Sequence, residues 1–275
     1  MHKLHFNFYH IGDQVCTTAL PENIFKFTGE RVVIADSKIW AFKHNPYVTF
    51  MTEEEAKDIT TIDIVPDARI QQHVELYYKT MHTTTMHSQT EFMCRSFNLT
   101  NVTLRHPRLY IYEDEKIQPN KIVVHTSGSD RTRDGEPAIR TSLGEDAERI
   151  MSAEVMATIL KNYSDYQIIQ VGGKDDIPLG GHSIDRRGQY DYWQTAKEIA
   201  TSAKFIGVNS GPMHIANCYP RVEKRIVLME YPQSTLIQYQ PGDIRNMLFS
   251  WLDPANTHFN KFDRDVGATF SYRNI

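Results

Sequence analysis

Lys204-Phe205-Ile206-Gly207-Val208-Asn209-Ser210-Gly211-Pro212-Met213-His214-Ile215-Ala216 is the stretch from which the rest of the chain can be read. Its first five residues are mostly apolar and read as a strand, and Ile215 onward continues a segment that reads as a helix. The turn between them is Asn209-Ser210-Gly211-Pro212-Met213-His214. A helix N-terminus presents backbone N–H groups with no partner in the helix and carries a partial positive charge, so it suits a diphosphate. Gly211 removes a side chain that would block close approach. Pro212 fits the first helical turn, where its missing N–H costs nothing. The same residues have an ordinary reading too: Ser-Gly-Pro before a helix is a common cap, and a histidine at 214 can be a hydrogen-bonded interior residue.

Working outward, similar strands recur at Lys121–His125, Tyr166–Val171 and Arg225–Met229, with helical patterns between them. Residues 152–162 place Val155, Ile159 and Leu160 on one face, with Ser152 as a candidate N-cap. Residues 190–203 place Trp193, Ala196, Ile199, Ala200 and Ala203 at helical spacing. Alternating strands and helices imply an α/β fold with a parallel sheet covered on both faces. In such sheets ligands gather at the carboxyl ends of the strands. Two more strand ends carry suitable chemistry. His125-Thr126-Ser127-Gly128-Ser129-Asp130-Arg131 offers hydroxyls, a glycine and a guanidinium, with Arg133 nearby. Gly172-Gly173-Lys174 offers a flexible turn and a cation, although Gly-Gly after a strand is also an ordinary turn.

The N-terminal half opens in the same manner, with a strand at Leu4–Tyr9, the turn Ile11-Gly12-Asp13, a helix and a strand at Arg31–Ala35. Pro21 lies inside that helix and is expected to kink or shorten it. Thr61–Val65 reads as a strand and 67–78 as a helix. Glu113–Asn120 is polar, contains Pro119 and is taken as the linker, which divides the chain into an N-terminal lobe over 1–115 and a C-terminal lobe over 116–275.

Composition sets limits. The 275 residues are 40% hydrophobic, enough for one large or two compact domains, and 30 Lys+Arg against 34 Asp+Glu give a net charge of -4. That balance lacks the basic stripe of a dedicated nucleic-acid binder, so no nucleic-acid partner is expected. Cys16, Cys94 and Cys218 are odd in number and form no CxxC pair, so reduced thiols in a cytoplasmic protein are expected rather than disulfides or a zinc knuckle. No signal-like run and no stretch of about 20 apolar residues is present, and a soluble protein is expected. His82 and His87 have the wrong spacing for a helical metal pair. Asp263-Arg264-Asp265 mimics a metal-holding acidic pair but is read as a solvated polar tail. The sequons at Asn98, Asn101 and Asn162 carry no meaning in a cytoplasmic protein.

Two of these segments together resemble glycosyltransferase family 9, the bacterial heptosyltransferases. Ile11-Gly12-Asp13-Gln14-Val15 with Thr17-Thr18-Ala19-Leu20-Pro21 is similar to that family's N-terminal signature, and Val208–Ala216 to its donor-binding signature. Val123–Ser129 and Gln170–Gly173 fall between them in the expected order. The resemblance covers the first 35 residues and most of 121–218. It implies a GT-B architecture: two facing Rossmann-like lobes, with the N-terminal, acceptor-side lobe reduced, since the chain is shorter than typical members. It also implies inverting transfer from a nucleotide-diphosphate sugar to a glycan or lipid-linked acceptor, without an obligatory metal or a cofactor beyond that co-substrate. On the same ground it implies surface-polysaccharide assembly at the inner face of a membrane.

Carried over by resemblance, Asp13 is the general base, and Thr126, Ser127, Ser129, Ser210, Gly211, Pro212 and Met213 hold the donor diphosphate. Arg131, Gly172, Gly173, Lys174 and His214 complete the expected donor site. Asp185 is a candidate contact to the nucleoside, with a charged loop as the alternative. Asn209 stands where the family has an aspartate that touches the donor sugar, and the family's phosphate-binding lysine has no clear counterpart. Arg131 or Arg133 can replace that lysine. An aspartate after glycine before a helix is also a common N-cap. Two other readings remain open from the sequence: a GT-B-shaped nucleotide-sugar epimerase, and a non-catalytic nucleotide-sugar binding module.

Overall fold

The computed structural model describes residues 1–6, 11–35, 39–64, 106–128, 150–208, 210–230, 257–263 and 269–271. They fall into two compact units, one of residues up to Ile111 and one of residues from Tyr112 onward.

In the first unit, β1 (His2–Phe6), β2 (Val32–Ile34), β3 (Val48–Phe50) and β4 (Thr61–Ile64) form a parallel sheet in the order β3-β2-β1-β4. Helices α1 (Ile11–Thr17) and α2 (Leu20–Thr28) follow β1. The expected Gly12-Asp13 turn is thus already helical. The proline signal at 21 marks a complete break rather than a kink. Pro21 occupies the first turn of α2, where its absent N–H is tolerated. The break is held by bonds from outside it. The Asn45 side-chain amide donates to the Thr18 carbonyl at 3.0 Å, and the Thr18 hydroxyl accepts from the Arg108 amide at 2.9 Å. Gly29 (φ 75) closes α2 in the left-handed conformation, its N–H bonded to the Phe25 carbonyl.

The second unit contains a seven-stranded sheet. Its strands are β5 (Gln118–His125), β6 (Gln167–Gln170), β7 (Ile184–Asp185), β8 (Ser202–Gly207), β9 (Glu223–Glu230), β10 (Thr257–Asp263) and β11 (Thr269–Ser271), in the order β11-β10-β9-β8-β5-β6-β7. All neighbours run parallel except β10 and β11. Counted from β5, the parallel strands run 3-2-1-4-5-6, the Rossmann-like order in which the winding direction reverses beside the first strand. The reversal here lies between β5 and β8.

Helix α3 (Ala153–Asn162) starts at Ser152, whose hydroxyl accepts from the Val155 amide at 3.3 Å. It buries Val155 and Ile159 against Ile122, Val124, Ile168 and Ile206. Burying side chains of this size contributes about 1.5–3 kcal/mol each. Helix α4 (Tyr192–Ala200) is opened by a reciprocal cap between Asp191 and Gln194 and packs on β5 and β8. Helix α5 (Gly211–Asn217) follows β8 and packs on β8, β9 and α4. Side chains alternate along a strand, so Val123, Phe205, Gly207 and His125 share the face opposite the Ile122–Val124 core.

Three further readings of the sequence change. The helix over 190–203 ends at Ala200, and Ala203 belongs to β8. Gln118–Asn120, read as linker, are the exposed first residues of β5. The polar tail is not a tail. Thr257–Asp263 pairs in parallel with Thr257↔Lys224 through Asp263↔Glu230, so Asp263 lies at a strand end. The helix expected over 67–78, His82, His87, Cys94, Arg264 and Asp265 lie outside the described residues. Cys16 and Cys218 are both buried thiols, and burial pushes that of Cys218 well up. Among the described residues no helix is long and apolar enough to cross a membrane.

Candidate functional site

Three loops leave the carboxyl ends of β5, β6 and β8, on either side of the strand-order reversal. This is the position at which sheets of this order bind ligands. A network of short bonds joins the three loops.

From β5, His125, Thr126 and Ser127 are all buried, at 3%, 0% and 1% exposure. Their side chains are engaged by protein. The Thr126 hydroxyl donates to the Ile177 carbonyl at 2.5 Å and accepts from the Gln170 amide at 3.0 Å. The Ser127 hydroxyl accepts from the Ile177 amide at 2.8 Å. Gln170 also bonds the Ile177 carbonyl at 2.7 Å and accepts from the Leu179 amide at 2.7 Å. These hydroxyls thus fasten the loop after β6 to the end of β5, and the Thr126 carbonyl is itself taken by the Met151 amide at 2.9 Å. Ser129 and Arg131 lie outside the described residues.

From β6, Gly172 adopts φ +138, a conformation that side-chain-bearing residues rarely take. A Cβ there would meet Asp176 Oδ2 at 2.1 Å and His125 Cδ2 at 2.9 Å. Gly173 donates its N–H to Asp176 Oδ2 at 2.8 Å, and Lys174 is exposed. Gly188, bonded through its N–H to the Gly172 carbonyl at 2.9 Å, lies against Lys174: a Cβ at 188 would come within 2.8 Å of the lysine Cβ. Asp185, on β7, faces solvent and is paired with Arg187 at 2.7 Å. Hydrogen bonds from Arg187 hold its carboxyl below the usual carboxylate range. Arg187 in turn donates to the Asp176 carbonyl. Asp185 therefore steadies the Gly172–Asp176 turn from outside.

From β8, Ser210 is the extended N-cap of α5 (φ -165, ψ 172), with Pro212 in the first turn. Its hydroxyl makes no cap bond to the helix; it lies 2.9 Å from His125 Nδ1 and 3.1 Å from the Val208 carbonyl. The His214 amide bonds the Ser210 carbonyl at 3.2 Å. Met213 is fully buried, so its side chain serves the core, and only its backbone can meet a ligand. Gly211, Pro212 and His214 are half-buried. Asn209 lies outside the described residues.

His125 Nε2 is 3.1 Å from Asp176 Oδ2. Asp176 is a site residue that the sequence reading did not single out, and His125 was quoted there without a role. The Gly172-Gly173 pair was the available signal, because a turn emptied of side chains next to two acids makes room for one carboxylate to fold inward. Nothing in the sequence distinguishes Asp175 from Asp176 for that role. Asp13 lies in α1 of the first unit, just beyond the carboxyl end of β1. Among the described residues no group of three His, Cys, Asp or Glu is placed to hold a metal ion.

The fold and these loops define a class: two Rossmann-like α/β units, one with three bonded loops gathered at its strand-order reversal. Several solved structures of the same fold are glycosyltransferases. A family 9 glycosyl transferase from Veillonella parvula superposes with a TM-score of 0.60 at 15% identity, over 95% of this chain and 85% of that one. E. coli ADP-heptose LPS heptosyltransferase II gives 0.53 at 10% identity, over 94% and 90%. E. coli heptosyltransferase WaaC, solved with ADP, gives 0.50 at 12% identity, over 95% and 91%. At these identities the likeness is one of fold. No protein-family model and no curated protein matches the sequence.

Proposed function

We propose that this chain is a family 9-like glycosyltransferase of GT-B architecture, moving a sugar from a nucleotide-diphosphate donor to a hydroxyl of a glycan or lipid-linked acceptor. The observation that carries the reading is the position of the Val208–Ala216 segment. Its likeness to the family's donor signature was a matter of sequence, and in the fold it forms the turn from β8 into α5, beside the reversal of strand order. The ADP-bound heptosyltransferase neighbour supports a nucleoside diphosphate as the ligand class.

In this mechanism the acceptor oxygen attacks the anomeric carbon while the bond from that carbon to the diphosphate oxygen breaks, inverting the centre. The proton of the acceptor hydroxyl passes to Asp13 as general base. Charge developing on the leaving diphosphate is stabilised by the backbone N–H groups that open α5, with Lys174 or Arg131 supplying a cation. The polar groups of that loop are fixed before reaction, and so need no reorganisation as charge develops. Asn209 replaces a charged sugar contact with a neutral one, which favours a donor sugar other than heptose. Transfer needs no metal in this reading, and the acceptor places the enzyme at the inner face of a membrane in surface-polysaccharide assembly.

A thermal-shift series with ADP, GDP, UDP and their sugars tests the reading, because a ligand that binds only the native state raises its melting temperature. At least one nucleoside diphosphate is expected to do so, and donor turnover is expected only when acceptor is added and to persist in EDTA. Turnover without acceptor points to an epimerase instead. Donor binding with neither transfer nor hydrolysis leaves only a binding module.

A further inference from the structure

Serine at a helix N-cap ordinarily accepts a hydrogen bond from an amide of the first turn. Ser210 does not; its hydroxyl is turned 2.9 Å from His125 Nδ1. The opposite ring nitrogen of His125 reaches Asp176 Oδ2 at 3.1 Å. Ser210, His125 and Asp176 are 2%, 3% and 5% exposed, so water does not compete for these bonds. The chain links residues 85 and 51 positions apart and ties together all three strand-end loops.

A carboxylate oxygen accepts, so Nε2 donates to Asp176, while the Ser210 hydroxyl, with one hydrogen to give, lies between Nδ1 and the Val208 carbonyl at 3.1 Å. A serine nucleophile uses the same three residue types, but with its hydroxyl on Nε2 and the carboxylate on Nδ1. Here the imidazole is reversed and the hydroxyl is enclosed, an arrangement that suits an anchor rather than a nucleophile. Gly172 is shaped for the same array, since a side chain there would occupy the place of the Asp176 carboxylate.

We propose that Asp176 and His125 are positioning residues of the nucleoside-diphosphate site, holding the Ser210 hydroxyl away from the first turn of α5 and so fixing the loop that receives the diphosphate. This rests on the donor-site reading above. Were the chain broken, the Ser210 hydroxyl would be held by the Val208 carbonyl alone and would turn more readily to cap α5 in the ordinary way, competing with a phosphate oxygen for the amide of Met213.

The test is calorimetric titration of ADP, UDP and GDP into the full chain, followed by a double-mutant cycle with whichever binds most tightly. Asp176→Ala and Ser210→Ala are each expected to weaken binding about tenfold, the scale of one charge-assisted buried bond. The double variant is expected to be no weaker than Asp176→Ala alone, because both act through one chain. Asp176→Asn, which keeps an acceptor oxygen, is expected to recover most of the affinity. Wild-type affinity in either alanine variant, or losses that multiply to about a hundredfold, overturns the positioning role. Should the variants not fold, nitrogen NMR of the imidazole in the unmodified protein still decides: a protonated Nε2 is expected, and a bare Nε2 refutes the array. A wild-type chain that binds no nucleoside diphosphate refutes the donor site and the positioning role together. Binding with uncoupled variants refutes only the latter.

Discussion

Replacing Gly172 with alanine tests the packing at the end of β6 in quantitative terms. At φ +138 an alanine backbone is strained, at a cost on the order of 1–3 kcal/mol. Its Cβ would stand 2.1 Å from Asp176 Oδ2, an atom that cannot swing aside freely because it also accepts from His125 and from the Gly173 amide. Moving it breaks a charge-assisted bond worth about 1.5–3 kcal/mol. The sum is roughly 2.5–6 kcal/mol, which corresponds to a fall in Tm of roughly 10 °C for a chain of this size. Gly180 provides the control. It too has positive φ (+74), but a Cβ there meets nothing within 4 Å, so Gly180→Ala carries only the backbone cost of about 1–2 kcal/mol. Urea unfolding of both variants, with midpoints compared at equal slope, separates the steric part from the backbone part. Equal destabilisation of the two variants would refute the claim that Gly172 is required by the Asp176 carboxylate.

Four further outcomes are expected. Ile159→Ala, at a fully buried position of α3, is expected to lose about 2–5 kcal/mol in the same urea assay. Ser152→Ala removes the α3 cap and is expected to cost about 1 kcal/mol, with Ser152→Gly costing only a few tenths. Burial alone would raise the Glu22 carboxyl, but bonds from Lys26 and Tyr110 and the charge of Arg108 outweigh it and hold the group below its ordinary 4.5. A depressed folded-state value means stability that is full above about pH 5 and lost as pH falls through that lower value, so the acid-side fall in Tm is expected to be shallower in Glu22→Gln than in wild type. Asp13→Asn is expected to keep donor affinity within about twofold while lowering transfer at least a hundredfold, as loss of a general base requires; unchanged transfer removes Asp13 from that role.

The parallel sheet of the second unit was legible because its central strands are buried on both faces and so read as unbroken apolar runs, as in Ile122-Val123-Val124 and Phe205-Ile206. The α3 boundary was legible because Ser152 is a local signal whose partner lies three residues away. What escaped depends on non-local context. Thr257–Asp263 sets Phe259 and Phe262 three residues apart among polar residues, with neither strict alternation nor a long apolar run, so its membership of the sheet is visible only through its pairing with β9. Pro21 announced a disruption, but whether it kinks a helix or opens a new one is decided by Asn45 and Arg108 holding Thr18.

The site divides in the same way. Ser210, Gly211 and Pro212 announce a strand-to-helix turn by residue type alone. The identity of the acid that folds inward, and the fact that the Thr126 and Ser127 hydroxyls are used to hold the neighbouring loop, depend on which backbone groups at 177 and 179 come within reach. Asp185 carried a charge pattern open to two readings, and its pairing with Arg187 links it to the turn that holds Asp176.

The most direct test of the central claim is a crystal structure of the chain soaked with the nucleoside diphosphate that binds most tightly. The diphosphate is expected at the carboxyl ends of β5 and β8, with its oxygens on the backbone amides of Gly211 and Met213. Ordered ligand elsewhere, or a crevice closed by protein side chains at saturating ligand, would contradict it.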